Sequence, residues 1–188
     1  MRRIILIGFS LLALSGSAIA QAPAPAAAPG PHDKATAAAP RNMREGALVI
    51  KWKADGTYDT LRPGTNRLVC YDQSGDPAEA PFASQCTSIG NLDRVKQNKQ
   101  VEAKEADRAK REVMFAELEK GGTRVKPEFG SVFYSLNGPD QATARLHVTI
   151  AVPGATTATL GLPDNNKMGG AWIMNAGTST AHIMTPGS

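Results

Sequence analysis

Ser131-Val132-Phe133-Tyr134-Ser135-Leu136 is followed by Asn137-Gly138-Pro139-Asp140 and then, after three residues, by Ala144-Arg145-Leu146-His147-Val148-Thr149-Ile150-Ala151-Val152. The last run alternates: Leu146, Val148, Ile150 and Val152 fall on one face, and Arg145, His147 and Thr149 on the other. That period of two is the mark of a half-buried strand. The first run is aromatic and β-branched, and Asn-Gly-Pro-Asp between them is turn chemistry. The stretch therefore predicts a β-hairpin closed by Pro153-Gly154, and with it an antiparallel sheet.

Upstream, Ala47 to Lys53 reads as a strand with Ile50 and Trp52 on one face and Lys51 and Lys53 on the other. Asp55-Gly56 signals a hairpin into Thr57 to Leu61. Pro63-Gly64-Thr65-Asn66 is a further turn, and Arg67 to Tyr71 a third strand. Three strands in succession predict a meander. Trp52 and Tyr58 fit cross-strand packing, with an aromatic platform for carbohydrate as the functional alternative.

Between these regions, residues 91–120 contain no Gly or Pro and end at Gly121-Gly122, which predicts one long charged helix. Its apolar spacing is imperfect before Lys104, so a break is expected near residues 99–103, and Asn91 is placed to cap the start. Charges of both signs sit at helical neighbour spacing, Asp107 with Lys110 and Arg111, and Arg108 with Glu112. This is a solvated face, with docking of an envelope protein partner through residues 91–120 as the alternative. The fold class is thus α+β: an antiparallel sheet of about six or seven strands (a meander plus C-terminal hairpins) with the charged helix on or beside it.

The front of the chain sets the compartment. Arg2 and Arg3 precede the apolar run Ile4 to Leu14, and Ala18-Ile19-Ala20 is a small-residue cleavage pattern. Residues 1–20 therefore read as a signal peptide for a periplasmic or secreted protein, too short to span a membrane. Residues 21–42, mostly Ala and Pro, read as a disordered tether, and residues 43–188 as a single α+β domain. Cys70 and Cys86, the two cysteines of the chain, are expected to pair in that compartment. Closing a loop of about 15 residues contributes about 3 kcal/mol.

Removing residues 1–20 takes away Arg2 and Arg3, so the formal charge of +4 falls to about +2. No basic stripe or interleaving of aromatics points to nucleic acid, and no later run has the length of a transmembrane helix.

Three of the six methionines and one of the two tryptophans fall between Met168 and Met184. Trp172-Ile173-Met174 and His182-Ile183-Met184 read as two short strands around a loop bearing Gly177. If Met174 lies opposite His182, Trp172 lies opposite Met184, and an imidazole, two thioethers and an indole share a face. Ile173 and Ile183 then take the other. A slip of one residue separates the two sets.

Thioethers favour Cu(I) or Ag(I), imidazole is a general ligand, and an indole attracts a desolvated cation. Met174, His182, Met184 and Trp172 are therefore the candidate metal site, with Cu(I) as the candidate cofactor. In residue kinds the set is similar to that of the small periplasmic copper- and silver-binding β-barrel proteins of efflux systems. The likeness covers these four residues and not the order of the motif. The same residues are also ordinary core-fillers.

Catalytic signatures are absent from the sequence: there is no G-x-S-x-G, H-E-x-x-H, P-loop or C-x-x-C-H. An envelope enzyme would have to draw on His147 and His182. The leading expectation is an exported binding or interaction domain.

Overall fold

In the computed structural model the described residues are 30–76 and 79–186. The expected signal segment 1–20 and the expected tether as far as residue 29 lie outside them. The hairpin forms where its alternation requires: β5 (Val132–Gly138) and β6 (Arg145–Ala151) are antiparallel, with Tyr134 opposite Val148 and Leu136 opposite Leu146.

On the far side of β5 lie β4 (Phe82–Ser88) and then β3 (Leu68–Asp72), both antiparallel to their neighbours. Adding β1 (Leu48–Trp52), β2 (Tyr58–Arg62), β7 (Trp172–Met174) and β8 (His182–Met184) gives one eight-stranded sheet in the order β2-β1-β3-β4-β5-β6-β8-β7.

The architecture is α+β, but the sheet is mixed and larger than the six or seven antiparallel strands expected. The correction lies at β3, which pairs with β1 in parallel instead of continuing a meander from β2. Burial explains the choice. β1 and β3 carry buried side chains along their lengths, whereas Tyr58, Asp59, Thr60 and Leu61 of β2 are exposed. A meander would seat the polar strand in the middle; the observed order leaves it at the edge, where charges also discourage pairing with another chain.

The crossing is made by residues 63–66. Gly46 O accepts hydrogen bonds from Thr65 N at 2.8 Å and Asn66 N at 3.0 Å. The chain passes so close to β1 that a Cβ on Gly64 would lie 2.5 Å from Leu48 N.

The charged segment is also corrected. It forms two helices of 13 residues each, α2 (Leu92–Lys104) and α3 (Arg108–Lys120), broken at 105–107 and not at 99–103. The break is stabilised by its own polar groups. Asp107 accepts a hydrogen bond from Lys110 N as the α3 cap, and Arg111 donates to the carbonyls of Glu105 and Ala106. Asn91 does not cap α2 with its side chain. It is buried, donating to Thr87 Oγ1 and Ser131 Oγ and accepting from Glu128 N.

Composition assigned residues 33–39 to the tether, yet they pack. After the single turn α1 (Asp33–Thr36), Ala38 and Ala39 join Ala47, Leu68 and the Cys70–Cys86 disulfide in one core cluster. Ser84 Oγ accepts from Ala38 N and donates to Ala35 O, and Arg44 donates to the carbonyls of Ala37 and Ala39. An alanine run reads as linker because a methyl carries little hydrophobic signal. Here its smallness lets the backbone lie directly on the disulfide.

Ser84→Ala removes the partner of a buried N–H and a buried carbonyl, and should cost about 1–3 kcal/mol. A lower denaturation midpoint with faster amide exchange at Ala38 is the expected result. An unchanged midpoint would show that this segment is not integral to the body.

The opposite face of the sheet packs Ile50, Val69 and Tyr71 against Val95 of α2. A third cluster unites Val152, Ala155, Ile173 and Ala181 near the C-terminus. No helix among the described residues is long and apolar enough to cross a membrane.

Candidate functional site

β7 and β8 pair with Trp172 opposite Met184, Ile173 opposite Ile183 and Met174 opposite His182. Directly opposed side chains have Cβ atoms about 5 Å apart on a common face. Trp172, Met174, His182 and Met184 therefore share one face, and the isoleucines take the other.

The parity follows from the core. Ile173 is 1% exposed within the third cluster, and a slip of one residue would expel it. The loop holds the same register: Gly177 N donates to Ala155 O and Gly154 N to Thr178 O, both at 2.7 Å. Asn175 and Gly177 supply the left-handed turn, with φ of 53° and 82°.

His182 is oriented by its neighbour. Nδ1 lies 2.8 Å from Thr180 O, and a carbonyl can only accept, so Nδ1 carries the proton and Nε2 of the neutral ring presents a lone pair. Backbone orientation of this kind commonly fixes a ligating imidazole. Met184 is 6% exposed and Met174 40% exposed, so one sulfur is sheltered and the other reaches the surface. Among the described residues no group of three or more His, Cys, Asp or Glu is placed to hold a metal ion.

The two histidines do not form one centre. His182 stands opposite Ala151 on β6, while His147 lies four residues along that strand, opposite Ser135 and exposed. Four residues of strand span roughly 13 Å, beyond hydrogen-bond reach. Ser179, close to His182 along the chain, is buried and bonded to α3. Its hydroxyl donates to the Glu119 carboxylate, which also accepts from Ser179 N at 2.6 Å. Burial pushes the Glu119 carboxyl up, but these bonds and the nearby Arg94 outweigh it and hold it below its ordinary range.

Arg94 completes this latch, donating to Val125 O, Ser179 Oγ and Thr180 Oγ1. Burial, and secondarily Arg124, lowers its pKa to about 10. The loop between β7 and β8 is thus tied to both helices by groups that composition read as a solvated face. Much of α3 is nonetheless exposed: Arg111 is its buried residue, and Val113 is exposed.

A second feature escaped the sequence reading. A cavity of about 610 Å³ opens between the end of the β1–β2 hairpin and the α2–α3 corner, lined among others by Trp52, Lys99, Gln100, Glu102, Lys104 and Arg111. Trp52 and Tyr58 do stand opposite each other, with rings edge to face at 5.5 Å, and Tyr71 holds the indole from another side at 5.9 Å. Lys99 pairs with Asp76 at 2.6 Å. Burial raises the Glu102 and Glu79 carboxyls above their ordinary range; the Glu102 charge adds to the shift of Glu79, Asp76 adds to both, and Lys99 opposes both. The cross-strand aromatic pair was the available signal; its helical partners were not adjacent in any local pattern.

No protein-family model matches the chain, and no curated protein or solved structure matches it either.

Proposed function

We propose that the chain is an exported binding domain for a soft monovalent ion, Cu(I) or Ag(I). The ligands are Met174 Sδ, His182 Nε2 and Met184 Sδ, with the Trp172 indole covering the ion. One observation carries this reading: the β7–β8 register groups these four side chains while Thr180 O leaves Nε2 of His182 as the acceptor. Two thioethers and a neutral imidazole are uncharged soft donors, the set that selects Cu(I) over harder divalent cations. The indole face adds a cation–π contribution to a desolvated ion. The half-exposed Met174 serves as the point of entry, and the sheltered Met184 as the inner ligand. Export is supported by the Arg2-Arg3 apolar leader and by the Cys70–Cys86 disulfide, which is favoured in oxidising compartments.

Titration of the chain from Gln21 onward with Cu(I), against a chromophoric chelator, should show one ion per chain and quenching of Trp172 emission. Both cysteines are engaged in the disulfide, so no thiolate competes. Met184→Leu keeps the side-chain volume and should cost under about 1.5 kcal/mol of stability while weakening binding at least about tenfold. An absence of competition with the chelator, or equal affinity in the variant, removes the proposal.

A further inference from the structure

We infer that the cavity beneath Trp52 is a second binding site, for a short saccharide. Its volume of about 610 Å³ lies within the range of small-molecule sites, about 300–1,000 Å³. The inference goes beyond ion binding and shares no residue with it.

The wall is fixed and its polar groups are unspent. Trp52 is braced edge-on by Tyr58 and Tyr71, and its indole Nε1 is buried with no hydrogen-bond partner. Glu102 lines the cavity, and among the described residues nothing donates a hydrogen bond to its carboxylate. Arg111 uses one terminal nitrogen on the carbonyls of Glu105 and Ala106, leaving the rest of its guanidinium available.

This mixture decides the ligand class. An apolar guest would strand Glu102 and Arg111. A dianionic phosphate would exceed the one cation left in excess, because Lys99 is held by Asp76 and Lys53 by Asp59, each at 2.6 Å, and Glu102 offsets one of the two that remain. A pyranose satisfies the whole set. Its hydroxyls donate to Glu102 and accept from Gln100 and Arg111, and its C–H face lies against the aromatic wall. Of the lining charges not paired internally, Lys104 and Arg111 outnumber Glu102, so a uronic acid should bind more tightly than a neutral sugar.

Trp172→Phe leaves Trp52 as the one tryptophan of the chain and makes its emission the reporter. Titrating that variant with digalacturonic acid and with N,N′-diacetylchitobiose should shift the emission saturably for at least the first, with saturation transfer to the sugar protons. Glu102→Gln removes a desolvated charge and so should remain folded; losing a charge-assisted hydrogen bond should weaken binding about tenfold or more. Trp52→Leu removes the aromatic wall together with the emission reporter, so its expected loss of binding is read by saturation transfer. No saturable shift with either sugar, an affinity unchanged in Glu102→Gln, or saturable binding of a tripeptide in place of both sugars would each overturn the inference.

Discussion

Arg94→Met is expected to lower the unfolding free energy by about 3 kcal/mol and, in the same variant, to weaken Cu(I) binding. Arg94 is 5% exposed and extends from α2 to three acceptors that no other residue of the helix reaches: Val125 O, Ser179 Oγ and Thr180 Oγ1. Hydrogen bonds from a charged donor are worth about 1.5–3 kcal/mol each in favourable geometry, and a buried acceptor left behind adds its own penalty. Two effects act against this. The guanidinium is itself desolvated, and Arg124 repels it. Methionine fills much of the volume, so the loss reports the polar network more than a cavity. Thr180 links the two readouts, because its carbonyl orients His182 while its hydroxyl accepts from Arg94. Urea denaturation with parallel ion titration measures both. A midpoint within a few tenths of a molar of the parent, with unchanged affinity, would show that the latch is not coupled to the β7–β8 ribbon.

Replacing both cysteines with alanine should cost a comparable amount. Cys70 and Cys86 stand directly opposite each other on β3 and β4, with Cα atoms 4.1 Å apart, and both are fully buried. The cross-link removes freedom from the unfolded chain by closing a loop of about 15 residues, worth about 3 kcal/mol on the entropic account. Deleting the two sulfur atoms also opens space beneath Ala38 and Ala39, and Ala35 O loses the Cys86 Sγ that lies 3.8 Å away. The expected result is a fall of about 3 kcal/mol by chemical denaturation, with proteolysis appearing first near residues 33–40. A variant that loses stability uniformly, with that segment still protected, would mean the disulfide acts through the unfolded state alone.

Local chemistry accounts for what was legible. The alternation from Arg145 to Ala151 is a property of neighbouring residues, and the β5–β6 hairpin forms there, although burial along β6 rises steadily toward Ala151 and leaves Leu146 exposed. Gly121 ends α3 as the breaker suggested. The pairing of the two cysteines needed only their number and the expectation of an oxidising compartment. Misreadings arose where the deciding neighbour is distant. The helix break lies at 105–107 because Arg111 and Asp107 satisfy the exposed backbone there, a result that imperfect apolar spacing placed a few residues too early. Asn91, suited by type to a cap, is drawn inward by Thr87, Ser131 and Glu128, the latter two some forty positions downstream.

The amino-acid order alone determined which side chains alternate, where turns fall and which four residues could meet on the last ribbon, because those are consequences of backbone periodicity. Tertiary structure decided that β3 lies parallel to β1, that residues 35–39 seat on the disulfide, and that Ile173 turns inward so the sulfur and imidazole groups turn the other way. Each of these is a competition for burial among surfaces remote along the chain, and no local period records who wins it. The cavity beneath Trp52 belongs to the same class, since its walls come from a hairpin end and a helix corner that meet only when the sheet is assembled.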